Sequence, residues 1–468
     1  MSGKGLVIGS ARMPGAGYTK ETLKSPAEES YSQPSDTPSS SSSISEKTKP
    51  EVSVSLWPSS HRNLGLLEEL IAENIEVKIW ATALPALNKS MPPDRFPEYT
   101  DPKTNRYVYS PLDFWTSGFF PGTLYLLHQR SLRHPSTTKL HPARLFAAAR
   151  WWAESLTTQA SRTDSHDLGF MIQPSFQPHF ELTGDKGSFE TLVTAAKSLA
   201  SRYDDRVGAI RSWDACKTGR YAFEDKTKDY LVIIDNMLNL DIMFYVASKT
   251  GDLTLSAIAT QHAKTTLKHH VRDNWSTVHM VNFDQRTGAV KEKITNQGYW
   301  DDSTWSRGQA WGVLGFAQVY GWTKQKEFLD AAKKLARYFL GRLPEDGVPH
   351  WDFDAPRPTH RDTSAAMICA SGLLEIYKHC ENPLEKAEWL HAATWVVGST
   401  LRLSLSPRAK FLVDGGVDAG EFDTILMNAT INCHEHAQRR WADHGLVYAD
   451  YYIVQVGNKF LDLGLLRR

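Results

Sequence analysis

Six times along this chain a short polar or aromatic signature runs straight into an apolar stretch with helical spacing. The junctions are marked by Asp113, Asp167, Asp235, Arg307, Asp362 and Asp450, at spacings of 54, 68, 72, 55 and 88 residues. Leu238 to Ala247 follows Asp235, and Ala310 to Tyr320 follows Arg307. A helix with an apolar face has to bury that face against another element. The pattern therefore predicts repeated helical hairpins, each with a chemically loaded end. A ring of such hairpins would bring those ends together over one pocket.

The rest of the chain supports a helical reading. Leu66, Leu67, Leu70, Ile71, Ile75, Ile79 and Trp80 fall at steps of three and four. The same spacing recurs in Leu145 to Leu156, Leu192 to Leu199, Leu255 to Leu267, Phe328 to Phe339, Ala365 to Tyr377 and Trp389 to Leu401, among about a dozen such segments. Strand-like pieces are few; the clearest is Val278 to Phe283 ahead of the turn Asp284-Gln285-Arg286-Thr287-Gly288. The expected class is all-α, a twelve-helix (α/α)6 barrel or six-hairpin toroid with a few short strands in its loops. The alternative is an open helical solenoid, against which stand the unequal spacings and the lack of a legible residue-level repeat.

Residues 1–55 are poor in large apolar groups and contain five consecutive serines, Ser39 to Ser43. They read as a disordered Ser/Pro-rich leader, which leaves 56–468 as a single catalytic domain. Lys plus Arg equals Asp plus Glu at 53 each, so there is no electrostatic footprint for nucleic acid or an anionic membrane. No apolar run is long enough for a membrane span, and Leu6-Val7-Ile8 is too short for a secretory signal. Cys216, Cys369, Cys380 and Cys433 form no C-x-x-C pair, which argues against zinc and a disulfide scaffold. These features place the protein in the cytoplasm. Fifteen tryptophans and seventeen tyrosines are a heavy aromatic load, and aromatic faces suit sugar rings as well as cores.

Asp235 ends the apolar run Leu231-Val232-Ile233-Ile234 and precedes an apolar helix. Desolvation there would push its pKa up, the condition a general acid needs; the alternative is an Asp that merely caps the helix. Asp167, in His166-Asp167-Leu168-Gly169-Phe170, offers a second carboxylate beside a histidine, with Gly169 permitting close backbone approach. Capping is again the alternative. Asn296-Gln297-Gly298-Tyr299-Trp300 followed by Trp305-Ser306-Arg307-Gly308-Gln309-Ala310-Trp311 is the densest cluster of polar groups and indoles. Trp305 and Trp311 could stack on sugar faces, and Arg307 with Gln309 could donate to hydroxyls or a carboxylate, unless the cluster only packs helices together. Trp115, beside Gly118 and Pro121, could line a pocket or wedge two helices apart. His434 and His436 are two apart, not the four that a helical zinc site requires.

Taken in order, these motifs resemble the unsaturated glucuronyl hydrolases, glycoside hydrolase family 88, which fold as (α/α)6 barrels. The resemblance spans about Trp115 to Tyr452. It rests on Trp115 to Gly122, His166 to Phe170, Ser212 to Asp214, Asp235 to Leu240, Asn296 to Gly298, Trp305 to Trp311 and Asp450 to Tyr452. It implies a hydrolase that adds water, its co-substrate, across the 4,5 double bond of a terminal unsaturated uronic acid on a small oligosaccharide left by a lyase. The hemiketal so formed rearranges and expels the next sugar. By motif, Asp235 would be the general acid and base and Asp167 would hold ring hydroxyls and help set the protonation of Asp235. Trp115, His166, Trp213, His279, Gln297, Trp305, Arg307 and Trp311 would be pocket residues. No metal or other cofactor is implied.

Two departures stand out. Lys217 to Lys228 reads as a polar insertion, and Asp443-His444-Gly445 stands where family members often place serines that bind the substrate carboxylate, with Ala449 for a usual glycine. Competing readings are an inverting glycosidase acting on saturated glycosides from the same barrel and a sugar-binding protein without catalysis.

Overall fold

The computed structural model describes residues 64–437 and 440–466, which contain twelve α-helices. In chain order these are α1 (Glu73–Leu87), α2 (Phe119–Arg133), α3 (Pro142–Ala153), α4 (Leu168–Thr183), α5 (Lys186–Ala200), α6 (Asn236–Thr250), α7 (Leu253–His270), α8 (Ser306–Thr323), α9 (Lys326–Gly341), α10 (Thr363–His379), α11 (Pro383–Ser404) and α12 (Val447–Asp462). The proposed leader over 1–55 lies outside the described residues.

The even-numbered helices form the inner layer. Going round the barrel, α2 packs on α4, α4 on α6, α6 on α8, α8 on α10, α10 on α12, and α12 returns to α2. That closure decides against an open solenoid, whose first and last repeats would not meet. The outer helices α3, α5, α7, α9 and α11 each pack on the inner helix that precedes them, and α1 lies against α2 and α3. Layer position follows from side-chain pattern. In α9 only one stripe is buried, Phe328, Leu329, Ala331, Ala332, Leu335, Ala336, Phe339 and Leu340, as an outer helix requires. In α8 every residue from Ser306 to Ala317 is buried, as befits a helix covered on all sides.

Close contact between inner helices needs small residues at the crossings. A Cβ on Gly169 would stand 2.6 Å from Asn239 Cα, so glycine there lets α4 approach α6, as expected from its motif. The Phe170 amide then donates to Asn239 Oδ1 at 3.0 Å, which ties the two helix starts together. A Cβ on Gly118 would collide with the Phe170 carbonyl at 2.2 Å, fixing the start of α2 in the same way.

The strand expected near Val278 spans Met280–Asp284 and pairs antiparallel with Val290–Ile294 across the anticipated turn. It pairs on its other side with Asp229–Ile233, with Tyr230 opposite Phe283 and Val232 opposite Val281. This small sheet has a direct bearing on the site. It ends two residues before Asp235, and the Ile234 amide donates to the His279 carbonyl at 3.0 Å. No helix among the described residues is long and apolar enough to cross a membrane.

Candidate active site

The six junction residues sit at the starts of the six inner helices. Asp167, Asp235 and Asp362 occupy the N-cap positions of α4, α6 and α10. Arg307 is the second residue of α8, Asp450 the fourth of α12, and Asp113 lies on the approach to α2. Their roles differ. Asp362 does cap its helix, accepting from the Ser364 amide at 3.1 Å. Neither Asp167 nor Asp235 makes a side-chain cap bond, so the capping alternative fails for both.

Asp235 is 7% exposed, and its Oδ1 has no hydrogen-bond partner among the described residues. Burial pushes this carboxyl up to about 7. The positive Arg307 counters the rise, the negative Asp167 adds to it, and the indole N–H of Trp311 lies close enough to favour the ionised form. That indole does not reach the geometry of a full hydrogen bond, since Trp311 Nε1 is also unpartnered. Asp167 thus lies near enough to Asp235 for its charge to be felt, at the start of α4 beside that of α6. Asp167 is held by Ser165, whose hydroxyl donates to Oδ2 at 2.5 Å, and its Oδ1 lies 3.3 Å from His166 Nε2. His166 is wholly buried, and that burial lowers its pKa despite the neighbouring carboxylate.

Trp213 joins this pair to the next wall. It bridges by backbone to both Ser165 and Leu231, and its ring centroid lies 6.5 Å from His166 and 6.2 Å from His279. The Nδ1 atom of His279 accepts from the Asn296 amide at 3.0 Å, which leaves its proton on Nε2. Burial drives its pKa to about 3, so the ring is neutral, and Nε2 has no partner among the described residues. It is a donor without an acceptor, fixed beside the acid pair.

Arg307 and the two tryptophans of its motif are enclosed by protein groups. Rather than offering donors to a ligand, Arg307 spends all four terminal N–H groups inside the protein. Nη1 donates to Asp362 Oδ2 at 2.5 Å and to the Thr430 carbonyl at 2.6 Å, and Nη2 donates to Gln297 Oε1 at 3.1 Å and to the Ile431 carbonyl at 2.5 Å. Its planar face covers the Trp305 ring at 4.5 Å. Trp305 is 3% exposed, and Trp311 is fully enclosed, with Phe170 at 5.3 Å and Tyr452 at 5.6 Å. Both indoles are packed against protein groups in this structure. Gln309 likewise turns away, donating to the Trp275 and Leu335 carbonyls.

A cavity of about 380 Å³ opens at this end of the barrel, lined by Trp115, Gln297, Asn296, Lys217, Asn432 and Trp441 among others. Two of its lining residues lead toward the acids, since the Asn296 amide is bonded to His279 and Gln297 to Arg307, whose charge acts on Asp235. A further cavity of about 230 Å³ lies among Gln173, Asp241, Gln318 and Gln455. There both Asp241 oxygens are occupied, by Trp322 Nε1 and Gln173 Nε2.

Several residues at the site escaped sequence reasoning. Tyr448 lies with its ring centroid 5.1 Å from that of Trp115 and 5.5 Å from the Arg307 guanidinium, its buried hydroxyl without a partner among the described residues. Its signal was available, since it lies one helical turn before Tyr452 of the Asp450-Tyr451-Tyr452 motif. Asn432 and Trp441 come from loop strands that no periodicity marks. Asp450, by contrast, accepts from the Ile425 and Leu426 amides and from Tyr107 Oη at 3.2 Å, so it holds a loop rather than facing the cavity.

No family model matches the chain. It is 36% identical over 346 residues to the unsaturated glucuronyl hydrolase of Formosa agariphila, covering 73% of this chain and 78% of that relative. With the unsaturated chondroitin disaccharide hydrolase of Streptococcus pneumoniae it shares 31% identity over 368 residues, covering 78% and 86%. Among solved structures, an unsaturated glucuronyl hydrolase specific for heparin matches with a TM-score of 0.72 at 27% identity, over 86% of this chain and 98% of the other. That of Bacillus sp. matches with a TM-score of 0.70 at 28% identity, over 85% and 97%. With the barrel, the motif order and these relatives in agreement, the chain belongs to the unsaturated glucuronyl hydrolase family.

Proposed function

We propose that this hydrolase hydrates the 4,5 double bond of a terminal unsaturated uronic acid on a lyase-derived oligosaccharide, with Asp235 as the acid and base and residues 56–468 as its single catalytic domain. The observation that carries this reading is the buried Asp235 carboxyl, raised to about 7 and with one oxygen unpartnered. Protonated, it delivers its hydrogen to carbon 4, and the electron deficit moves to carbon 5 and the ring oxygen. The resulting carboxylate takes a proton from water as the remaining hydroxide bonds to carbon 5. The acid is thereby regenerated, and collapse of the hemiketal releases the next sugar as an alcohol. A carboxyl poised near neutrality can serve in both steps, because neither protonation state is costly to reach.

Asp167, fixed by Ser165, is positioned to accept from ring hydroxyls, and the neutral His279 Nε2–H to donate to the substrate. Trp115 and Gln297, on the cavity wall, are the pocket residues best placed to touch the sugar. His166 and Trp213 hold the acid pair and His279 in register. Arg307, Trp305 and Trp311 act one layer behind, through the charge and packing around Asp235. The four cysteines form no disulfide, which supports placing the enzyme in the cytoplasm.

The test is loss of the conjugated uronate absorbance when the enzyme meets unsaturated disaccharides from chondroitin, hyaluronan, heparin, gellan and pectin lyases. Decay with at least one of them, abolished by Asp235→Asn, is expected. No decay with any of them, or turnover of saturated glycosides alone, would overturn the reading.

A further inference from the structure

Two aromatic side chains stand in water immediately beyond the cavity lining. Asn296 and Gln297 line the cavity; Tyr299 and Trp300, next but one along the chain, are 40% and 48% exposed. Large half-exposed rings are not unusual one at a time. These two are adjacent, and the loop that carries them is pinned. The Gly298 amide donates to Thr295 Oγ1 at 2.7 Å, the Tyr299 amide to Asp352 Oδ2 at 2.8 Å, and the Trp300 amide to Ser303 Oγ at 2.9 Å. Arg220, from the polar insertion, lies 4.6 Å from the Trp300 ring centroid and makes a two-pronged pair with Asp301. Thus backbone hydrogen bonds and the Arg220 side chain hold the exposed aromatic pair in place.

Tyr299 and Trp300 border an open cleft of about 510 Å³ whose other walls are Asp302, Ser303 and Asp354. Apolar ring faces rimmed by short polar side chains match a sugar, with its C–H face and its ring of hydroxyls. They do not match a protein partner, which needs about 800 Å² on each side. Three residues of chain reach at most about 11 Å, so Trp300 lies within that distance of the Gln297 backbone. We propose that Tyr299 and Trp300 form a stacking platform for the sugar beyond the leaving one, so that unsaturated oligosaccharides longer than a disaccharide gain an additional contact. The platform rests on the activity proposed above.

Trp300→Ala and Trp300→Tyr are compared with the wild type on an unsaturated disaccharide and an unsaturated tetrasaccharide from the same lyase. The expected result for Trp300→Ala is a kcat/KM on the tetrasaccharide about fivefold to tenfold lower, the scale of losing one buried ring face. Its disaccharide value should stay within about twofold, since the disaccharide does not reach the ring; that value also reports correct folding. Trp300→Tyr should recover part of the loss. Equal losses on both substrates, or none on either, would overturn the platform. Wild-type inactivity on both would instead sink the activity on which it rests, and the platform with it.

Discussion

The inner and outer helices of this barrel begin in different ways. Four outer helices are capped by the side chain that precedes them. His141 Nδ1 accepts from the Ala143 amide, Asp185 from Ser188, Asp252 from Thr254, and Asn382 from both Leu384 and Glu385. Of the inner helices, only α10 has such a cap, and its Asp362 is also the partner of Arg307. Asp167 and Asp235 occupy cap positions without capping. An aspartate that could satisfy a nearby amide and does not is held for something else. The contrast within the inner ring is sharper still. Burial raises both Asp235 and Asp450 to about 7, but Asp450 is saturated with donors and Asp235 is not. A shifted pKa alone therefore does not single out an acid for proton transfer; the unpartnered oxygen is what favours Asp235 for the proposed role.

Four substitutions test that contrast. Asp235→Asn should lower kcat about a thousandfold or more, within the range for a positioned proton donor, with no loss of melting temperature. Its stability should also depend less on pH. Folding raises this carboxyl from near 4 to about 7. The folded state thus keeps a proton that the unfolded chain releases, so the stability it contributes is complete below about pH 4 and lost as pH climbs to 7. Removing the group flattens that decline, which denaturation at pH 5 and pH 8 would reveal. A catalytically competent Asp235→Asn enzyme would break the comparison.

Asp450→Ala should behave oppositely. It strands the Ile425 and Leu426 amides and Tyr107 Oη, a loss of about 2 to 4 kcal/mol by denaturant titration, while the folded fraction retains its kcat. Next comes Asp167→Asn, which removes a negative charge that raises the Asp235 pKa. Its alkaline activity limb should move to lower pH, and its kcat should fall about tenfold to a hundredfold from lost substrate positioning; an unmoved limb would mean the two acids are electrostatically independent. The smallest effect belongs to the outer ring. Asn382→Ala should cost about 1 kcal/mol of stability, as cap removals do, and leave kcat/KM unchanged.

Much of this was legible in the chain. The helix count, the hairpin after Val278 and the loaded junctions follow from periodicity, because burial on one face writes itself into sequence locally. Ring closure does not, since the packing of α12 on α2 joins elements over three hundred residues apart. The burial of Asp235 was legible for a chemical reason: an aspartate after Leu231-Val232-Ile233-Ile234 has little water around it in any helical arrangement. The donors of Arg307 were not, because the carbonyls of Thr430 and Ile431 that take them belong to a strand far along the chain. The burial of Trp311 matches the packing alternative weighed for its motif, which sequence could not decide. An indole can pack or bind, and its neighbours Phe170 and Tyr452 decide which.

With all six inner helices starting at the cavity end, their peptide dipoles point the same way. Each contributes a fraction of a positive charge at its start, so a chain with equal numbers of acidic and basic residues is polarised along the barrel axis. The same starts carry Asp167, Asp235 and Asp362, so the positive backbone ends offset part of the repulsion those acids would set against an anionic sugar, a contribution that no exchange of surface side chains removes.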